Sequence, residues 1–242
     1  MEKEDLRKVK TVIFDCWNTL VQGDQKELER YRNLEIIYSF VKEKDKVSYQ
    51  EFVKFCVDFL TEYYSTALYE ITSDQMLNYI LATLGLTLTK SVSFVLDYET
   101  SLLKVSPVPG SNEFLTYLEK ASLPYFVVSN TIHSEKTTRR FIENTHPEHV
   151  FSDVFVSSFY GVRKPDRRLF ELALHKKGIK AEDALYIGDT FKDDVMGADS
   201  AGIKAIYLNI RNREKPLGSG HCDFLEVHSY EELITLFKEA RE

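Results

Sequence analysis

The sequence predicts an α/β protein: a mostly parallel sheet with helices on both faces, interrupted by an inserted bundle of helices. Three observations carry this. A strand pattern at 11–15 opens the chain, the stretch 21–106 shows helical periodicity without strand patterns, and strand and helix patterns alternate from 107 onward. Alternation of that kind needs crossover connections, and these make a parallel sheet. The strand at 11–15 finds no partner within the helical stretch, so it must pair with the later strands. The expected organisation is therefore one α/β domain made of 1–20 and 107–242, with a helical domain, 21–106, inserted into it.

Taken in order, the first strand is Thr-Val-Ile-Phe, stopped at Asp15 with Asn18 and Thr19 just beyond. β-branched and aromatic side chains followed by turn formers read as a buried strand feeding a loop. In the helical stretch, Leu28, Tyr31, Leu34, Tyr38 and Val41 recur at helical spacing, as do Phe52, Phe55, Phe59 and Tyr63. Ser48 and Glu51 make a capping box for the second of these helices. A third runs from about Ser73 to Leu84 and stops at Gly85, and a fourth starts near Thr89 and ends by Ser106-Pro107. Four helices in succession form a small bundle.

Beyond Pro107, the strand patterns are Pro124–Ser129, Asp153–Ser157, Ala184–Gly188, Ile203–Leu208 and Asp223–Val227. Helical patterns lie near 111–122, 134–144, 166–177 and 191–201, with a last helix from Ser229 carrying Glu232 three residues on.

Composition narrows the function classes. Hydrophobic residues make up 43% and charged residues 29% of the 242, as in ordinary globular proteins. A net charge of −7 argues against a nucleic-acid or membrane-surface binder, because no basic face dominates. No apolar run approaches a membrane span, and the first ten residues are too charged for a secretion signal. Three scattered cysteines, Cys16, Cys56 and Cys222, suit a reducing compartment, and the expected location is the cytoplasm. The six histidines show no zinc spacing.

Four strand patterns end in polar residues. Asp15 follows Val-Ile-Phe, Ser129 and Asn130 follow Tyr-Phe-Val-Val, Lys164 lies beyond the strand ending near Ser157, and Asp189 follows Tyr-Ile-Gly, with Asp193 and Asp194 a turn later. Parallel strands bring their carboxyl ends to one edge, where open α/β sheets bind ligands. A carboxylate, a hydroxyl, an ammonium and an acidic pair suit an oxyanion held against a hard divalent cation such as Mg²⁺. Each feature also has a plain structural explanation. Asp15 can cap a turn, Ser129-Asn130 can simply follow a strand, Lys164 can be a loop lysine, and Asp193-Asp194 can favour a helix's first turn. Their joint occurrence at matching strand ends is what the separate explanations leave out.

The order Asp-x-x-x-Thr, Ser-Asn, Lys-Pro and Gly-Asp-x-x-x-x-Asp resembles the haloacid dehalogenase superfamily, most of whose members are phosphohydrolases. The resemblance covers nearly the whole chain, and 21–106 sits where that family carries a helical cap between its first and second motifs. It implies a Rossmann-like core and a Mg²⁺-dependent phosphatase acting on a small phosphorylated metabolite. Asp15 would be the nucleophile that forms an aspartyl-phosphate. Ser129, Asn130 and Lys164 would bind the phosphoryl group, with Lys164 also neutralising the nucleophile. Asp15, Asp189, Asp194 and the backbone carbonyl of Trp17 would hold Mg²⁺, and the spacing favours Asp194 over Asp193.

One position departs from the pattern. Phosphatases of the family usually carry a second aspartate two residues after the nucleophile, and here that residue is Trp17. An indole can neither protonate a leaving oxygen nor activate water, and that assistance is worth roughly 10²–10⁴-fold in rate. The expectation is slow hydrolysis, or a preference for acyl and aryl phosphates. Trp17 also reads as a large side chain packed against the cap. Two alternatives stand beside the phosphatase. A 2-haloacid dehalogenase would match the aromatic residue at 17, with Arg30 as a carboxylate ligand, but would not need Asp189 and Asp194. A phospho-ligand binding or interaction protein without turnover would keep the same residues. The aromatics between Tyr31 and Tyr69 read as bundle core rather than as a pocket, so the substrate's identity is not legible, nor is the oligomeric state.

Overall fold

The computed structural model describes residues 1–23, 27–67, 69–214 and 222–241, with the side chains of 27–32 excepted. Contacts divide the chain into two units, Met1–Gln22 with Val105–Glu242, and Gly23–Lys104.

In the first unit, β1 (Thr11–Phe14) is the buried run before Asp15. A separate two-stranded sheet, missed by the sequence patterns because its strands are only three residues long, pairs β2 (Val21–Gly23) with β3 (Val105–Pro107). In the inserted unit, α1 (Glu27–Ser39) contacts both α2 (Tyr49–Thr66) and α4 (Val92–Ser101), and α3 (Ser73–Leu84) packs on α4. The Leu28 and Tyr31 side chains, expected on the buried stripe of α1, and that of Arg30 lie outside the described residues. The capping box of α2 forms as expected: Glu51 N–H donates to Ser48 Oγ at 3.3 Å, and Ser48 N–H donates to Glu51 Oε2 at 2.8 Å. α3 ends at Gly85, which takes a left-handed φ of 63°. Phe52, Cys56, Met76, Leu77, Ile80, Leu81 and Val95 are buried. Not every aromatic of this unit is core, since Tyr64 and Tyr69 are exposed and Tyr63 is tied by its hydroxyl to Glu70 Oε1 at 2.7 Å.

The first unit resumes with α5 (Ser111–Lys120), β4 (Tyr125–Ser129), α6 (Glu135–Thr145), β5 (Val154–Val156) and the short α7 (Ser157–Tyr160). Then follow α8 (Arg167–Lys177), β6 (Ala184–Gly188), a π-helical turn at Phe191–Met196 running into α9 (Gly197–Ser200), β7 (Lys204–Leu208), β8 (Phe224–Val227) and α10 (Tyr230–Arg241). The main sheet has six strands in the order β5-β4-β1-β6-β7-β8, paired in parallel throughout. This is the parallel sheet that the alternation predicts, in the Rossmann-like arrangement that the resemblance implies.

Side chains alternate between the faces of the central strands. Ile13, Phe126, Val128 and Tyr186 join Leu169 and Phe170 of α8 in one core cluster. Phe14 meets Phe114 of α5 edge to face at 6.0 Å, and Phe114 meets Phe237 of α10 at 5.2 Å. The chain runs from β1 to β4 and β5 on one side, then crosses to β6, β7 and β8 on the other. The order therefore reverses beside β1, and the crevice at its carboxyl end is where a ligand site is expected.

Candidate active site

Asp15 sits at that crevice, 6% exposed, with its N–H bonded to Ile187 O of β6 at 2.9 Å. Lys164 reaches it from the loop after α7. The Lys164 ammonium is 2% exposed and spends all three donors: on Asp15 Oδ1 at 2.7 Å, on Asp194 Oδ1 at 2.6 Å and on the Tyr186 hydroxyl at 2.7 Å. Tyr186 in turn donates to Val128 O of β4 at 2.8 Å. Three strands and a loop are thus cross-linked around one cation. Burial alone would pull the lysine's pKa down, but Asp15 and Asp194 outweigh it and hold the ammonium charged.

The backbone of Lys164 is fixed by Asn130. Its amide nitrogen donates to Lys164 O at 2.9 Å, and its amide oxygen accepts from Lys164 N–H at 2.8 Å. Expected as a phosphate ligand, the Asn130 side chain is committed to placing the lysine. Ser129, fully buried at the end of β4, has its Oγ 3.5 Å from Asn130 O. Thr19 Oγ1 lies 3.5 Å from Asp15 Oδ2.

The acidic pair separates. Asp194 joins Asp15 and Asp189, and one carboxylate oxygen from each lies within 4.8 Å of the others. Asp193 faces elsewhere, with Oδ2 3.4 Å from the Asn130 amide. The π-helical turn makes the choice: Asp194 Oδ2 accepts from Thr190 N–H at 2.8 Å, so the carboxylate folds back toward the end of β6. Gly188 leaves room for it, because a Cβ there would lie 2.3 Å from Asp194 Cγ.

Asp15 and Asp194 share one ammonium with Asp189 beside them, and burial pushes Asp15 up to about 7 and Asp189 up to about 6. Asp189 Oδ2 is buried with no hydrogen-bond partner, although Arg213 Nη1 stands 3.3 Å away. A buried carboxylate oxygen without a hydrogen bond among the described residues, beside two other carboxylates, fits a hard divalent cation with oxygen ligands.

Trp17, expected to pack against the cap, makes ring contacts to aromatic residues of its own unit. Its ring meets Phe141 of α6 at 5.4 Å and His133, in the loop before α6, at 6.4 Å. Burial and the nearby Arg140 push His133 down to about 4. Sequence patterns missed Tyr186, which reads as one more strand aromatic, and Arg213, which sits in a loop without periodicity.

A buried carboxylate, a buried ammonium and an acidic pair at the switch point of a parallel sheet suit an oxyanion substrate. The sequence profile of the haloacid dehalogenase-like hydrolases matches residues 12–208, and the chain belongs to that family. The chain is similar to a glyceraldehyde 3-phosphate phosphatase of Pyrococcus furiosus, 25% identical over 209 residues that cover 84% of this chain and 82% of that one. Among solved structures it resembles a 2-haloacid dehalogenase of Pseudomonas syringae pv. Tomato DC3000, with TM-score 0.68, 20% identity, and 96% and 99% of the two chains covered. A phosphatase from Thermococcus onnurineus aligns with TM-score 0.62 at 17% identity, covering 97% of this chain and 100% of that one. Both structural likenesses speak to the fold.

Proposed function

We propose that this hydrolase is a Mg²⁺-dependent phosphatase of small phosphorylated metabolites that works through an aspartyl-phosphate on Asp15. The observation that carries this reading is the Lys164 ammonium, bonded to Asp15 and Asp194 at 2.7 and 2.6 Å beside a third carboxylate. Such a cluster opposes the protonation of Asp15 that burial favours and keeps positive charge where phosphoryl oxygens would gather. The phosphatase relative, aligned over most of both chains, supports the same choice of chemistry.

Asp15 attacks phosphorus and the bond to the leaving oxygen breaks, giving an acyl phosphate on the enzyme. Water then attacks that phosphorus, the bond to Asp15 breaks, and inorganic phosphate leaves. Ser129 donates to a phosphoryl oxygen, and Lys164 offsets the charge shared between nucleophile and phosphoryl group. Asn130 positions Lys164 through its backbone. Asp15, Asp189, Asp194 and the Trp17 carbonyl would hold Mg²⁺, which supplies further charge neutralisation at the phosphoryl oxygens. No carboxyl stands at residue 17 to protonate the leaving oxygen, so leaving groups that depart as stable anions are favoured. The helical unit 23–104 is then the cap, carrying the substrate selectivity.

A steady-state comparison of acetyl phosphate, p-nitrophenyl phosphate and an alkyl phosphate, with Mg²⁺ and with EDTA, tests the reading. Asp15→Asn serves as blank. Turnover that requires Mg²⁺ and falls from acyl to alkyl ester is expected. Chloride release from 2-chloropropionate that is insensitive to EDTA would replace the phosphatase by a dehalogenase. Mg²⁺-dependent phosphate binding without turnover would leave a binding protein.

A further inference from the structure

Beside the phosphoryl site, in the same α/β unit, lies a shallow cleft open to solvent. Asn18, Gln22, Asp189, Asn209, Arg211 and Arg213 supply its polar wall. Apart from Asp189, which belongs to the carboxylate trio, this wall is made of neutral amides and two guanidinium groups. Arg211 Nη2 donates to the Asn18 amide oxygen at 2.5 Å, a neutral acceptor. Arg213 places Nη1 3.3 Å from Asp189 Oδ2 and keeps 40% of its side chain open to solvent. Both guanidinium groups pull down the pKa of Asp189, although burial and Asp194 prevail, so both lie within electrostatic reach of it.

The turn that presents the arginines is built rather than loose. Asn209, 4% exposed, accepts from Arg213 N–H at 2.8 Å through its amide oxygen and donates to Arg213 O at 3.0 Å through its amide nitrogen. Its second amide donor goes to Glu226 Oε1 at 2.7 Å, which ties the turn to β8. Asn212, between the arginines, has a left-handed φ of 50°, and Asn18, the partner of Arg211, has one of 61°. Non-glycine residues in that region are uncommon and gather where the backbone must aim a side chain.

We propose that Arg211 and Arg213 form a second oxyanion subsite, which takes a carboxylate or a further phosphoryl group carried by the substrate a few atoms from the phosphate that is cleaved. Planar guanidinium groups suit both anions, since each offers paired donors to paired oxygens. The subsite shares Asp189 with the phosphoryl site, and this adjacency limits the substrate to a compact molecule. The proposal rests on the phosphatase reading for its substrate class and narrows that class to esters with a second anionic group.

Three esters test it: glycerol 3-phosphate with a neutral tail, 3-phosphoglycerate with a carboxylate, and 1,3-propanediol bisphosphate with a second phosphoryl group. With Mg²⁺, at least one anionic-tailed ester is expected to exceed glycerol 3-phosphate in kcat/KM by about tenfold or more, the size of one good charge-assisted pair. Which of the two does so identifies the second anion. In Arg211→Gln that ratio should collapse, mostly through KM, and in Arg211→Lys part of it should survive. A wild type without the preference, or a preference that survives in both Arg211→Gln and Arg213→Gln, would overturn the proposal. If no ester turns over, the phosphatase reading fails on its own, and calorimetric binding of the same esters to the Mg²⁺-loaded protein decides the subsite. Tighter binding of an anionic tail, lost in Arg211→Gln, sustains it. Equal binding of all three, or none, refutes it. Thermal melts of each variant show that the fold is kept.

Discussion

At the scale of single residues, Lys164 is the hinge of the site. Among the described residues its ammonium is the one cation bonded to both Asp15 and Asp194, and removing it would leave two buried carboxylates uncompensated. Breaking a buried pair by deleting one partner costs roughly 3–5 kcal/mol. Lys164→Met should therefore lower stability by about that amount in EDTA, less so with Mg²⁺, and reduce phosphatase turnover by roughly a thousandfold or more; chemical denaturation and steady-state assays read the two effects. Trp17→Asp should act in the opposite direction, raising turnover of an alkyl phosphate by up to about 10²-fold and that of acetyl phosphate far less. An unchanged alkyl rate would remove the missing acid as the explanation for slow hydrolysis. The gathering of Asp15, Lys164, Asp189 and Asp194 was legible in the sequence because they lie beyond successive strand patterns in a recognisable order. Tyr186 was not: a tyrosine within Ala-Leu-Tyr-Ile-Gly has the apolar look of its neighbours, and only the tertiary fold shows its hydroxyl accepting from Lys164 at 2.7 Å.

Among elements, the π-helical turn at Phe191–Met196 does the most for the site. One extra residue per turn turns Asp194 toward the trio and leaves Asp193 beside Asn130. Spacing alone could favour Asp194 but could not reveal the turn, because a π-turn and an α-helix share nearly the same hydrophobic pattern. Gly188 is the other half of this arrangement. A methyl group there would meet Asp194 Cγ at 2.3 Å, so Gly188→Ala must displace the carboxylate. Mg²⁺ affinity, followed as the Mg²⁺ dependence of melting temperature, should fall by about 10–100-fold, with stability in EDTA lowered by about 1–3 kcal/mol from overpacking. An unchanged Mg²⁺ response would mean that Asp194 is not a ligand. The main strands and the capped helices were readable because each carries a period and a punctuation mark. The β2–β3 pair was not, since three-residue strands are too short to show a period.

For the whole molecule, the site hangs on a core with its own polar seams. His146, fully buried, bridges Ser111 Oγ at 2.9 Å through Nε2 and Thr145 Oγ1 at 2.7 Å through Nδ1. Burial, with His149 nearby, pushes it down to about 4 despite the opposing pull of Ile142. The fold therefore favours the neutral ring. Its contribution is fully present above the unfolded value of about 6.5 and is lost as pH falls from there toward 4, a change on the order of 3 kcal/mol. Urea denaturation at pH 7 and pH 4.5 should show the wild type losing more stability than His146→Gln. Equal losses would place the acid sensitivity elsewhere. No helix among the described residues is long and apolar enough to cross a membrane. The fold class was legible at this scale because alternation of strands and helices leaves few topologies. The aromatic neighbours of Trp17 were not, because nothing in a sequence says which rings of distant segments will meet. Here Phe141 and His133 meet the indole.

The measurement that bears most directly on the proposed chemistry is mass spectrometry of the protein after acid quench during turnover of acetyl phosphate. One phosphoryl group on the peptide that contains Asp15 is expected with Mg²⁺, and none with EDTA or in Asp15→Asn. Steady release of phosphate with no such adduct, even when quenched early, would contradict nucleophilic attack by Asp15.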